Sequence, residues 1–325
     1  MELIGSVNVL VAVFGAGGQT GYYLCQELLD SGHSVIGIVR NKSRKLFPFL
    51  QNYDQIVLDL SKQNDFQSIF LDQHPDVIVN LAGLSSVLAC ESSPEISYRL
   101  NFELVKDLIN YLSITQQKEG KKVFYYQASS SEMYTANRAL ELVDESTALS
   151  PHSTYGLHKS LAHQLVQRAR NDLGVYASNM ILFNHESPRR PSNYVSRKIT
   201  KTAYEISLGI SNSLVLGNVN TKRDWAHAQD YAHVIKRLID SSYFGDFVIA
   251  SGVLRSIKEF VEVTFDYFNL RPTSKYLAIS TSLSRKNDHP GLRGETSNIR
   301  SLIGELRLRN FEDTISDMCE HEKLN

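Results

Sequence analysis

The stretch that most restricts how this chain can fold is a glycine-rich turn set between two apolar runs. Val9 to Phe14 reads as a strand, Gly15-Ala16-Gly17-Gly18-Gln19-Thr20-Gly21 follows, and Tyr22 to Asp30 reads as a helix. That helix stops at Gly32 and leads into a second apolar strand, Ser34 to Val39. The glycines at 15, 18 and 21 fit the G-x-x-G-x-x-G form of a dinucleotide fingerprint. They allow a tight turn, close approach of backbone to a pyrophosphate, and close packing of the helix on the sheet. A flexible glycine loop would not explain the strands on both sides. Gly15, Gly18, Gln19, Thr20 and Gly21 are therefore the first candidate cofactor-binding residues.

Strand and helix signals alternate through the next 150 residues or so. Strands are expected at Ile56 to Leu58, Asp76 to Asn80, Lys122 to Gln127 and Tyr176 to Phe183. Helices are expected at Asp65 to Asp72, Ser97 to Thr115 and Tyr155 to Arg170. This order implies an α/β fold with a doubly wound, mostly parallel Rossmann sheet. From Asn184 the pattern changes to prolines, arginines and shorter elements. The helices there are Tyr194 to Gly209, Asp230 to Ser241, Ser256 to Phe268 and Phe311 to His321, with strands near Leu214 to Leu216 and at Phe247 to Ala250. The expected division is a dinucleotide-binding domain of residues 1–183 plus about 223–250, and a smaller substrate domain of about 184–222 plus 251–325. At 325 residues and 42% hydrophobic, the chain can bury cores for both.

A net charge of -1 argues against nucleic acid or an acidic membrane as partner. Met1 to Val13 reads as a first strand rather than a leader or a membrane span, and a cytoplasmic location is expected. Cys25, Cys90 and Cys319 are isolated, with no metal-ligand or disulfide spacing, so they read as small buried hydrophobes and no metal is expected.

Where an NAD site usually offers a carboxylate to the adenosine ribose, this chain reads Val39-Arg40-Asn41-Lys42-Ser43-Arg44-Lys45. With cations and no acid there, NADP is favoured, through Arg40, with NAD possible; Lys42 and Lys45 fit a solvated loop. Asp59, ending the third strand, can accept from an adenine amine, with Leu60 beside it. Leu81, Ala82 and Gly83 follow the fourth strand, small enough for backbone to lie against a cofactor, and Ser85 stands next as a substrate contact.

The redox chemistry is carried by Tyr155-Gly156-Leu157-His158-Lys159. Residues four apart on a helix share a face, so the Tyr155 hydroxyl and Lys159 ammonium can address one ligand. A nearby ammonium favours the phenolate, which predicts that Lys159 lowers the Tyr155 pKa. Ser130, past the fifth strand, can hydrogen-bond the same substrate oxygen. In this arrangement Tyr155 acts as base toward an alcohol while hydride passes to a nicotinamide. Glu132 is an added acid, and desolvation in a cramped pocket would raise its pKa. Arg189, Arg190, Arg197, Lys198, Lys222 and Arg223 gather in the second domain, which suggests a substrate bearing a diphosphate. His185 and His227 read as structural groups or substrate hydrogen-bonders.

Four stretches resemble the extended short-chain dehydrogenase/reductases, and within them the GDP-mannose 4,6-dehydratase family. They are Gly37-Ile38-Val39-Arg40, Tyr126-Gln127-Ala128-Ser129-Ser130-Ser131-Glu132-Met133-Tyr134, Ile181 through Asn184-His185-Glu186-Ser187-Pro188-Arg189-Arg190, and Gly217-Asn218 with Lys222-Arg223-Asp224-Trp225-Ala226-His227. The resemblance implies catalytic roles for Ser130, Glu132, Tyr155 and Lys159, and a GDP-sugar site including Asn184, Arg190 and Arg223. It implies an internal redox dehydration to a 4-keto-6-deoxy sugar, with mannose, a heptose or another hexose as the sugar. A 4-epimerase or 4-keto reductase would need Tyr155, Lys159 and Ser130 but not Glu132. A non-catalytic nucleotide-binding protein would need none of them. The family's second arginine after the second strand is Asn41 here, and the route to Asp59 is short. Thr135 replaces a glycine, and the tail beyond residue 270 matches poorly. A homodimer is expected, with a tetramer possible.

Overall fold

The computed structural model describes residues 8–41, 46–47, 50–135, 142–283 and 291–324. Lys42 and Lys45, expected on a solvated loop, lie outside the described residues.

Seven strands form the main sheet, in the order Asp246–Ile249, Ala177–Leu182, Phe124–Ser130, Val77–Asn80, Leu10–Phe14, Ser34–Val39 and Tyr53–Val57. Every pairing in it is parallel. Parallel strands are covered on both faces, and Val11, Ala12, Val13 and Phe14 are accordingly all buried. One face packs the fingerprint helix, Gln19–Asp30, and the helix Ala228–Ser241 around Leu24, Leu28, Ile235 and Leu238. The other packs the helices Leu104–Glu119 and Thr154–Leu173 around Leu108, Leu112, Ala162 and Val166. Strand order reverses beside Leu10–Phe14, which opens a crevice at the carboxyl ends of that strand and Val77–Asn80.

The second lobe is built on Asn184–Glu186, which runs parallel to Trp225–His227, while Lys222–Asp224 pairs antiparallel with Leu254–Ser256. Helices Val195–Ser207, Ile257–Tyr267 and Phe311–Leu324 enclose Trp225, Phe260, Ile199 and Ile315. Ile299, Ile303 and Leu306 pack instead into the core beneath the main sheet. Among the described residues no helix is long and apolar enough to cross a membrane.

Element ends differ from the sequence reading where side chains decide them. The fingerprint helix begins at Gln19, three residues earlier than expected, because Gly18 takes the N-cap position. The expected helix at Asp65 to Asp72 is a single turn, Phe66–Ile69, capped by the Asp65 carboxylate. The long helix expected from Ser97 is three pieces: Pro94–Tyr98, a wide π turn at Arg99–Glu103, then Leu104–Glu119. Ser130 is the last residue of its strand rather than a residue beyond it.

Candidate active site

The crevice is lined first by the fingerprint turn. Gly15 has φ +81, and a Cβ there would stand 3.0 Å from Ala82 N. A Cβ on Gly21 would overlap the Gly15 carbonyl. Both positions therefore demand glycine, and the backbone they leave bare faces Leu81 and Ala82. Thr20 is buried in the helix's first turn. Gln19 is engaged elsewhere: its Nε2 donates to His185 O at 2.9 Å, and its Oε1 accepts from Ser187 Oγ at 3.0 Å. The side chain thus joins the turn to the second lobe, leaving its backbone N–H as the group to face a phosphate.

Arg40 is exposed at the end of its strand, near enough for its charge to favour the Asp59 carboxylate. Asp59 Oδ1 accepts from Ser61 N and Oγ, and these bonds, chiefly the hydroxyl's, hold its pKa below the usual carboxylate range. Leu60 is buried in the core. Gly83 is exposed above Lys159, where an added Cβ would lie 3.6 Å from Lys159 Nζ and 2.5 Å from Asn101 Oδ1.

The motif helix begins with Ser153, whose hydroxyl accepts from Gly156 N at 3.0 Å. Its first turn presses against the segment after Ser130: a Cβ on Gly156 would overlap the Glu132 carbonyl. Glycine at 156 thereby brings the Glu132 backbone against the helix that carries Tyr155. The Ser130 hydroxyl accepts from Glu132 N at 3.2 Å and lies close enough to the Tyr155 side chain to favour its phenolate. Glu132 itself is half-buried at the rim, not sealed in. Lys159 is 4% exposed, and its Nζ donates to Ala128 O at 2.9 Å.

The electrostatics differ from the sequence reading. Burial pushes the Tyr155 phenol well above its ordinary value; Ser130 opposes that rise, while the Glu132 carboxylate adds to it. Lys159, expected to be the group that lowers it, stands 5.9 Å from the Tyr155 ring centroid and is itself brought down to about 8 by burial. Desolvation works against both charged forms at once.

Across the crevice, Ser85 Oγ and Tyr194 OH are 2.8 Å apart. The Arg190 guanidinium stacks on the Tyr194 ring at 3.9 Å and pairs with Glu186 at 3.1 Å. Arg189 stacks on Tyr22 of the fingerprint helix at 3.6 Å. Ser85 and Arg190 are thus joined through Tyr194, a residue the sequence reading did not single out. Asn184 is in register with Trp225, two residues from Arg223. Lys198 is turned aside, its Nζ donating to Val215 O at 2.7 Å. His227 caps a helix through Gln229 N and meets Asp317 at 3.0 Å. His185 is half-buried, its pKa brought down to about 4 chiefly by desolvation, with its Nδ1 2.8 Å from Phe183 O. The three cysteines are buried and unbridged, as their isolation implied. Cavities of about 370 and 470 Å³ open elsewhere, beside Arg293 and Arg300 and beside Trp225 and Arg309, and neither has Tyr155 or Lys159 in its wall.

The model of one family, GDP-mannose 4,6 dehydratase, matches residues 12–318, spanning the turn, the motif helix and the second lobe. The chain belongs to the GDP-mannose 4,6-dehydratase family. It is 30% identical to GDP-mannose 4,6 dehydratase 1 of Arabidopsis thaliana, over 96% of this chain and 89% of that one. It is 34% identical to a GDP-mannose 4,6-dehydratase of Vibrio cholerae, over 79% of this chain and 72% of that one. Its fold is similar to UDP-glucose 4-epimerase of Thermotoga maritima, with TM-score 0.84 and 17% identity, covering 97% and 99% of the two chains. It is equally similar to dTDP-glucose 4,6-dehydratase of Bacillus anthracis, solved with NAD, with TM-score 0.82 and 16% identity, covering 98% and 97%. Family membership and the Rossmann fold are thus established together.

Proposed function

We propose that this family member is a nucleotide-sugar 4,6-dehydratase, converting GDP-mannose or a closely related GDP-sugar to its 4-keto-6-deoxy product with a retained NADP(H). The observation that carries this reading is that the Glu132 backbone packs on Gly156 of the motif helix and bonds Ser130, with the Glu132 carboxylate near enough to Tyr155 to raise its pKa. A 4-epimerase or a 4-keto reductase has no use for that acid.

The residues fit a dinucleotide. Gly15 and Gly21 can hold no side chain, which keeps the turn tight, and Gly17 and Gly18 leave its backbone exposed for a pyrophosphate, with Arg40 assigned to a 2'-phosphate and Lys159 to a ribose. Bound in its oxidised form, the nicotinamide supplies a hydride acceptor, a later hydride donor, and a positive charge that favours the Tyr155 phenolate.

The chain's own groups do the rest. Tyr155 takes the O4 proton, and Ser130 holds that oxygen by a hydrogen bond. Once C4 is a ketone, the C5 hydrogen is acidic, and the Glu132 carboxylate removes it. The C5–C6 double bond forms as the C6 hydroxyl leaves, taking a proton to depart as water. After C6 is reduced, C5 regains a proton. Arg190 and Arg223, with Asn184 and Ser85, are assigned to the GDP-sugar.

Incubating the pure protein with GDP-mannose, without added cofactor, tests the reading by product mass. Loss of one water supports it. An isomer of unchanged mass would make the protein an epimerase, and no change in GDP-mannose but reduction of a GDP-4-keto-6-deoxy sugar with added NADPH would make it a reductase.

A further inference from the structure

Three polar side chains lie inside the sheet directly beneath the crevice, where apolar ones would be expected. Asn80 and Tyr125 are fully buried and Gln127 is 1% exposed. Asn80 and Gln127 are register partners on neighbouring parallel strands, so their side chains share one face.

Their hydrogen bonds run head to tail. Ala82 N donates to Asn80 Oδ1 at 3.2 Å, and Asn80 Nδ2 donates to Gln127 Oε1 at 2.9 Å. The Tyr125 hydroxyl donates to the same Oε1. Gln127 Nε2 then donates to Ala128 O at 2.9 Å, the carbonyl that also accepts from Lys159 Nζ. This pattern fixes the amide orientation. A flipped Gln127 would set its oxygen against the Ala128 carbonyl and its NH₂ against that of Asn80.

Stability alone does not call for such a row. Replacing buried hydrogen-bonding partners by apolar groups of the same shape can be nearly neutral, whereas leaving one member unpaired costs about 1–3 kcal/mol. What the row accomplishes is to connect two functional points. One end is the N–H of Ala82, in the loop that closes on the Gly15 turn. The other is the carbonyl holding the Lys159 ammonium.

We infer that Gln127, itself held by Asn80, is a positioning residue for Lys159: by fixing the Ala128 carbonyl it sets where the ammonium stands relative to the Leu81–Gly83 loop. The inference rests on the proposed reading, in which Lys159 holds the cofactor beside Tyr155. An ammonium has three donors, and Ala128 O takes one of them. The direction of the other two follows from the position of that carbonyl. A misplacement of about 1 Å can lower a rate by about 10²-fold.

Gln127→Met keeps length and removes the amide. Tyr125→Phe is the matched comparison, because it removes a donor of equal burial from Gln127 Oε1 and leaves the chain to Lys159 intact. Each is measured for urea stability, for NADP+ Kd by calorimetry, and for single-turnover kcat and KM with GDP-mannose. Tyr125→Phe should lose stability with Kd and kcat within about twofold of the native protein. Gln127→Met should raise the NADP+ Kd about tenfold and lower kcat at least as much, with KM for GDP-mannose within about twofold. Should Gln127→Met not fold, Gln127→Leu also removes the amide that donates to Ala128 O and carries the same expectation. Native Kd and kcat in the Gln127 variant would overturn the inference, as would equal functional losses in Tyr125→Phe. If the native protein binds NADP+ yet leaves GDP-mannose unchanged, the reaction assignment fails while the Kd comparison still decides the role of Gln127. If it binds no NADP+, both fall.

Discussion

Replacing Lys159 with methionine should disable the protein and stabilise it. Burial lowers the Lys159 pKa from 10.5 to about 8. Between those two values the unfolded chain holds a proton that the native protein does not. Stability contributed by this group therefore rises with pH through that window, and the penalty is present in full below about pH 8. At 1.36 kcal/mol per unit, the drop from 10.5 to about 8 amounts to about 3 kcal/mol at pH 7. Methionine removes the charge but also the hydrogen bond to Ala128 O, which offsets about 1–2 kcal/mol. The variant should then be about 1–2 kcal/mol more stable at pH 7. At pH 9.5 the native penalty falls to about 1.5 kcal/mol, so the gain should close to near zero. Urea unfolding of cofactor-free native and Lys159→Met protein at the two pH values measures both terms, and other titrating groups cancel in the difference. A variant less stable at pH 7, or a difference that does not change with pH, would refute the reasoning.

Other outcomes follow from the same geometry. Arg40→Ala should weaken NADP+ binding far more than NAD+ binding, and equal losses in parallel titrations would make Arg40 loop surface. Gly156→Ala places a Cβ against the Glu132 carbonyl, and should destabilise the fold by about 1–3 kcal/mol and cut turnover at least tenfold, measured by urea unfolding and steady-state assay. Leu88, Ile96, Tyr98 and Leu157 are exposed on the motif helix and the two short helices before the π turn, an apolar face suited to a second copy. Light scattering at micromolar concentration should give a dimer, and a monomer would count against that surface.

Much of the fold was legible because parallel strands announce themselves as uninterrupted apolar runs, and because the glycines at 15 and 21 have no steric alternative. The candidate site was legible for a related reason: four-residue spacing puts Tyr155 and Lys159 on one face, whatever surrounds them. What surrounds them was not legible. Helix spacing suggested that Lys159 would lower the Tyr155 pKa, but burial raises it, and Ser130 rather than Lys159 opposes the rise. The π turn at Arg99–Glu103 is built from residues that suit an ordinary helix. Asn101 within it donates to Leu84 O and Ser97 Oγ, contacts no local pattern reveals. Gln19 looked like a cofactor contact because it stands in the fingerprint, and only the neighbouring lobe shows its amide to be occupied. Asn80 and Gln127 looked like ordinary strand ends, because pairing across strands depends on register, which the sequence does not state.

In the proposed reaction Glu132 performs an acid–base step after Tyr155 has allowed the sugar to be oxidised, and two variants separate those steps. Glu132→Gln keeps size and some hydrogen bonding but cannot act as a base, while Tyr155→Phe cannot take the O4 proton. Loss of a general acid–base group typically slows turnover by about 10²–10⁴-fold, so both should be nearly inactive. The deciding measurement is reduced-nicotinamide absorbance after mixing each variant, loaded with NADP+, with GDP-mannose in a single turnover. Glu132→Gln should accumulate reduced cofactor without water loss, and Tyr155→Phe should show none. Normal dehydration by Glu132→Gln would contradict the claim and remove Glu132 from the mechanism.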